Sequence, residues 1–280
     1  MKKHLLVFIK ILGFFAAWIL LIALQSIPGV GEPPFVKGSV AFQRFWWELL
    51  PLISVIIATL VFTIIIEKNG IKISLLDKMA KNSVLGIFTG IEWIGIPILI
   101  LSIIGSFHFG AINSISYLPV WIISAFLNVI MQEYLVRGYI FELLKKEYNL
   151  ITSIIITTIL FTGLHGGAFE AGIVAVLNVI TMSVFMSVLL VYAKSLFLPI
   201  VVHAVWNIAG SLLGCVSLAS DYPVLINCTI TGDKIISGGI YKLEGSIIVL
   251  LVNIVNIIVF IIVMNKKSPT AHNKRYTLRA

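Results

Sequence analysis

The chain has 280 residues, 59% of them hydrophobic and only 11% charged, with a mean hydropathy of +1.08. A soluble domain is about half apolar and about a quarter charged, so this composition excludes a soluble enzyme and specifies a polytopic membrane protein. The formal charge of +8 does not point to nucleic acid, because the basic residues lie in short connectors and tails and form no aromatic-basic stripe.

In chain order, apolar stretches run at about residues 5–25, 48–66, 84–105, 118–141, 150–166, 172–193, 196–215 and 245–264, each near the length a tilted helix needs to cross a bilayer. The predicted fold is an all-α, polytopic membrane helix bundle of about eight transmembrane helices. Met1-Lys2-Lys3 resembles the basic head of a signal peptide, but Leu5 to Leu24 is long enough to span and no small-x-small cleavage site follows, so a retained first helix is expected. Pro28-Gly29, Pro33-Pro34, Asn69-Gly70 and Gly166-Gly167 supply turns between stretches. The chain divides into N-terminal helices 1–3 over residues 1–117, a core of helices 4–7 over 118–215, an external loop over 216–244, and a last helix with a basic cytoplasmic tail over 245–280. The loop, punctuated by Pro223, Gly232, Gly238 and Gly239, reads as semi-ordered.

Lys and Arg set the orientation. With the N-terminus inside, fourteen basic residues fall on cytoplasmic segments and four (Lys37, Arg44, Lys234 and Lys242) on external ones. Both termini are therefore expected in the cytoplasm, and the host membrane is expected to be a bacterial cell membrane. Cys215 and Cys228 are too few for a disulfide framework and read as free thiols, with a single bridge as the alternative. Trp46 and Trp47 fit an interfacial belt. Asn178, Asn253 and Asn256 fit interhelical hydrogen bonds, and Glu92 is the remaining carboxylate inside a span.

Three stretches carry costly polar groups within this hydrocarbon. Glu133 and Arg137 are four apart in the fourth span, Phe161 and His165 in the fifth, and His203 and Asn207 in the seventh, so each pair shares a helix face. The alternative for Glu133 and Arg137 is a plain ion pair that stabilises the bundle. At 1.5 Å per residue, Glu133, His165 and His203 lie roughly 15, 22 and 12 Å from the cytoplasmic ends of their spans, depths compatible with one layer and a pocket opening toward the cytoplasm. A poorly solvated carboxylate takes a proton from water while imidazole and amide N–H groups stabilise an oxyanion. Alternatively His165, His203 and Glu133 ligate zinc. The spacing is not an H-E-x-x-H helix, so no cofactor is obligatory and zinc is the second option.

These motifs resemble the signature of the CAAX prenyl protease and bacteriocin-processing (CPBP, or ABI) family of intramembrane endopeptidases. That pattern has two adjacent glutamates with an arginine four after the second, then Phe-x-x-x-His, then His-x-x-x-Asn. Gln132-Glu133 with Arg137, Phe161 with His165, and His203 with Asn207 follow it in order over about residues 118–215, and Gly138 extends it. The resemblance implies hydrolysis of a peptide bond in a membrane-associated peptide or protein, within the lipid bilayer. It implies Glu133 as base, His165 and His203 as water-orienting or oxyanion groups, Asn207 as a donor, and Gln132, Arg137 and Phe161 in support. One position departs from the pattern: the first glutamate, usually assigned as the base, is Gln132. The alternative is thus a non-catalytic membrane binding or bacteriocin-immunity protein on the same fold.

Overall fold

The computed structural model describes residues 2–217 and 221–267. Its helices are α1 (Lys2–Ile22), α2 (Val40–Leu60), α3 (Met79–Ile103), α4 (Leu118–Tyr134), α5 (Phe141–Glu147), α6 (Leu150–Leu164), α7 (Gly166–Ala171), α8 (Ile173–Ala193), α9 (Phe197–Leu212), the one-turn α10 (Lys234–Ser237) and α11 (Ile247–Lys267). Two strands, β1 (Phe107–Ile112) and β2 (Ile226–Ile230), complete the elements used below. The tail from residue 268 lies outside the described residues.

Six continuous helical segments, beginning at Lys2, Val40, Met79, Leu118, Ile173 and Ile247, are long and apolar enough to cross a membrane. α6 and α9 are apolar but shorter, at 15 and 16 residues, or about 23 Å against a hydrocarbon core of about 30 Å. Apolar side chains stay exposed around the outside, among them Leu20, Phe88, Ile103 and Ile159, as expected of helices whose outer surface meets lipid rather than water. The chain is an integral membrane helix bundle.

Side-chain contacts define its two ends. At one, Lys3 pairs with Glu147, Lys10 with Glu67, and Ser195 Oγ donates to the Leu75 carbonyl, gathering the start of α1 and the connectors 67–78, 148–149 and 194–196. This end holds most of the described lysines and is called the basic face. At the other, Trp46 and Trp47 donate to the Val30 and Gly31 carbonyls, and Arg44 pairs with Asp221. This end is the loop face.

Residues 221–244 are more ordered than expected. β2 pairs antiparallel with β1, matching Phe107 to Ile230 and Phe109 to Cys228, and Asp233 caps α10 through the Ile235 and Ile236 amides. Both cysteines are buried free thiols; burial pushes the Cys215 thiol up to about 12. α3 packs closely on α9 because Gly86 and Gly90 offer no side chain. A Cβ built on them lies 2.7 Å from Val201 Cβ and 2.6 Å from Val205 Cβ, a small-xxx-small contact typical of membrane helices. That contact fixes the position of His203 on α9.

Candidate active site

α4 does not run straight into α5. Residues Leu135–Ile140 form a π turn, with Gly138 at φ −78° and ψ −107°, and such single-turn bulges are frequent at functional sites. Arg137 lies in this turn and is fully satisfied. Its Nη1 donates to Glu133 Oε2 at 2.8 Å, Nη2 to the Ser183 carbonyl at 2.9 Å and Ser183 Oγ at 2.7 Å, and Nε to Ser187 Oγ at 3.2 Å. The guanidinium also stands 4.9 Å over the Phe161 ring.

Glu133 is wholly buried and both of its oxygens are used. Oε2 takes Arg137, and Oε1 accepts from His203 Nδ1 at 2.9 Å. Because a carboxylate only accepts, that contact fixes the proton on Nδ1 and leaves Nε2 as the free ring nitrogen of His203. His165 ends α6, and its Nδ1 lies 2.8 Å from the Phe161 carbonyl. Since a carbonyl also only accepts, Nε2 of His165 is free too. Phe161 stands between the two imidazoles, with ring centroids 4.2 Å from His165 and 6.2 Å from His203.

Gln132, Phe161, His165, His203 and Asn207 line one cavity of about 380 Å³. Glu133 and Arg137 are not on its wall; they stand behind it, and Glu133 reaches it only through His203. The cavity wall also takes in Arg44, Ser217, Tyr222 and Glu244 from the loop face and no residue of the basic-face connectors. It therefore opens toward the loop face, opposite to the direction expected from the sequence. Counting residues places a group in depth but does not say which end of a bundle is plugged. Here the basic end is filled by Val7, Phe14, Leu52, Phe62, Tyr139 and Leu143.

Sequence reasoning missed a polar chain beside Gln132. Glu48 is buried; its Oε1 receives Arg44 at 2.7 Å and Tyr222 OH at 3.1 Å, and its Oε2 receives Asn128 Nδ2 at 2.7 Å. Asn128 Oδ1 then accepts from Gln132 Nε2 at 2.6 Å, leaving Gln132 Oε1 buried without a partner. The carboxylate thus fixes both amides, and Gln132 is left with an unmet acceptor. Asn128, four residues before Gln132 on the same face, was the available signal. At the mouth, burial and the neighbouring Glu48 raise the Tyr222 phenol above its ordinary range, against the opposing pull of Arg44.

Other sequence expectations fall outside this wall or on it as follows. Glu92 and Asn256 do not line the cavity, and Asn256 Nδ2 is buried without a partner, so the interhelical hydrogen bond expected of Asn256 is not made through it. Asn253 makes the expected interhelical bonds, to Thr181 and Trp93, whereas Asn178 donates to the Glu244 and Ser246 carbonyls in the connector before α11, and both line the cavity. Among the described residues no group of three or more His, Cys, Asp or Glu side chains is placed to hold a metal ion. With both Glu133 oxygens taken, the trio Glu133, His165 and His203 does not fit zinc.

Short helices ending inside an apolar bundle, with imidazoles and amides turned to a buried cavity, define a polytopic membrane protein with a polar internal site. Residues 114–209 match the family model described as Type II CAAX prenyl endopeptidase Rce1-like. Over this segment the chain is similar to type II CAAX prenyl endopeptidases. No curated protein and no solved structure matches the chain.

Proposed function

We propose that the chain is an intramembrane endopeptidase in which His203, backed by Glu133, takes the proton from the attacking water. The observation that carries this reading is the 2.9 Å contact of His203 Nδ1 with Glu133 Oε1 on the cavity wall. A carboxylate on one ring nitrogen orients the imidazole and stabilises its cation, so the other nitrogen serves as general base. Glu133 then acts through His203 as a positioning residue, and Arg137 holds Glu133 in place. His165 Nε2 orients the same water, Asn207 donates to the developing oxyanion, and Gln132 Oε1 accepts a hydrogen bond from water or from a substrate amide. Residues 118–215 are the catalytic core, and no metal enters the mechanism.

The second reading, a non-catalytic binding or immunity protein, draws on Gln132, which stands where the family pattern has a glutamate. Purified protein in proteoliposomes, incubated with a mixture of fluorogenic apolar peptides, separates the two. Under the proposal wild type cleaves, while Glu133→Gln, His165→Ala and His203→Ala each lose activity. Inert wild type combined with a gain of activity in Gln132→Glu would falsify it in favour of the binding protein.

A further inference from the structure

The direction in which the cavity opens bears on its ligand. Its loop-face wall contains Arg44, Ser217, Tyr222 and Glu244, whereas the lysine-rich connectors gather on the opposite face, where Lys3 meets Glu147 and Lys10 meets Glu67. Lysine-rich short connectors stay in the cytoplasm. We infer that the cavity receives an extended peptide from the outer side of the membrane, an exported or extracellular chain rather than the C-terminus of a cytoplasmic protein.

The unmet hydrogen-bonding atoms give the chemistry of this ligand. Gln132 Oε1 and Asn178 Oδ1 are buried acceptors without partners, and Arg44 Nε is a buried donor without one. All three residues line the cavity, and Asn178 is 5% exposed. Buried polar atoms are nearly always paired, and a small shift of these side chains as a ligand enters offers two deep acceptors to its N–H donors and the arginine to an oxygen. A peptide backbone carries both at each residue. A volume of about 380 Å³ also lies within the range of ligand pockets, about 300–1,000 Å³.

The inference rests on reading this cavity as the hydrolytic site, but its test does not depend on cleavage, so the two fail separately. Single cysteines are placed at Ala171 and Ser217 on the cavity wall, at Lys37 as a loop-face marker and at Lys72 as a basic-face marker. The parent chain, with its two buried thiols, serves as the blank. A membrane-impermeant maleimide applied to intact cells is expected to label A171C, S217C and K37C and to spare K72C; inverted vesicles should give the reverse. Labelling of A171C and S217C together with K72C, labelling of K37C from the cytoplasmic side, or labelling of both wall positions by a permeant reagent alone overturns it. A short Leu-Ala peptide supplied outside is expected to slow labelling of A171C, and its backbone N-methylated form to lose that protection. Equal protection by both, or none by either, overturns the peptide as ligand.

Discussion

The two ends of the bundle treat a buried carboxylate in opposite ways. Toward the basic face, Glu67 collects Lys10 at 2.5 Å, Lys146 at 3.3 Å and Tyr139 OH at 3.2 Å against an apolar plug. Toward the loop face, Glu133 and Glu48 are also saturated, yet the groups they orient keep unmet atoms, His203 Nε2 and Gln132 Oε1. The first arrangement is finished by the protein itself, and the second is finished only by something that enters. Polar groups in a bundle are thus told apart less by their depth than by whether their hydrogen bonding closes.

The largest effect that tests this contrast is His203→Ala, with an expected loss of activity of about 10²–10⁴-fold, the usual contribution of general acid–base catalysis, and a lowered melting temperature in detergent because Glu133 Oε1 loses its donor. Chemistry untouched by the substitution would break the comparison outright. Arg137→Met comes next, with the fold reporting instead of the chemistry. Leaving Glu133 buried without its cation costs about 3–5 kcal/mol, read as an earlier unfolding transition by circular dichroism. Gly90→Leu drives a side chain into Val205 and the α9 backbone, and overpacking of about 1–3 kcal/mol should lower thermal stability and activity together.

A smaller effect is expected at the closed end. Burial raises the Glu67 carboxyl, but Lys10, Lys146 and Tyr139 outweigh it and hold the group below its ordinary range. Its contribution is therefore present above the ordinary carboxylate range and fades as pH falls through the lowered native value. Glu67→Gln should cost about 1–2 kcal/mol at neutral pH, since two partners are partly exposed, and progressively less in acid. A cost that grows as pH falls would reverse the assigned sign. The smallest effect is expected from chelators, which should leave peptide cleavage unchanged, because no three-ligand set is found among the described residues.

Much of the helical framework was legible because twenty-odd consecutive apolar residues have few other uses, and both glycine-free and glycine-bearing spans show the same signal. The paired motifs were legible because i, i+4 spacing places two side chains on one face whatever surrounds the helix. The β1–β2 ribbon was not, since each strand is short and its partner lies more than a hundred positions away in the chain. Nor was the role of Glu48: at the edge of an apolar stretch a glutamate looks like an interfacial residue, and only the approach of α2 to α4 makes it the anchor of Asn128 and Gln132. The sequence reading also gave Glu133 direct contact with water, because spacing reveals a shared face but not which neighbour already holds each oxygen.

The π turn at Leu135–Ile140 has one more consequence. A π turn carries one residue more than the α-helical turn it replaces, so it works as a phase shifter in a continuous rod. Upstream, Gln132 faces the cavity; downstream, Tyr139 and Leu143 face the plug. Deleting a single residue there would shorten the helix by only about 1.5 Å but turn everything beyond it by about 100°. Plug and cavity are thus kept on their own sides by one surplus amino acid.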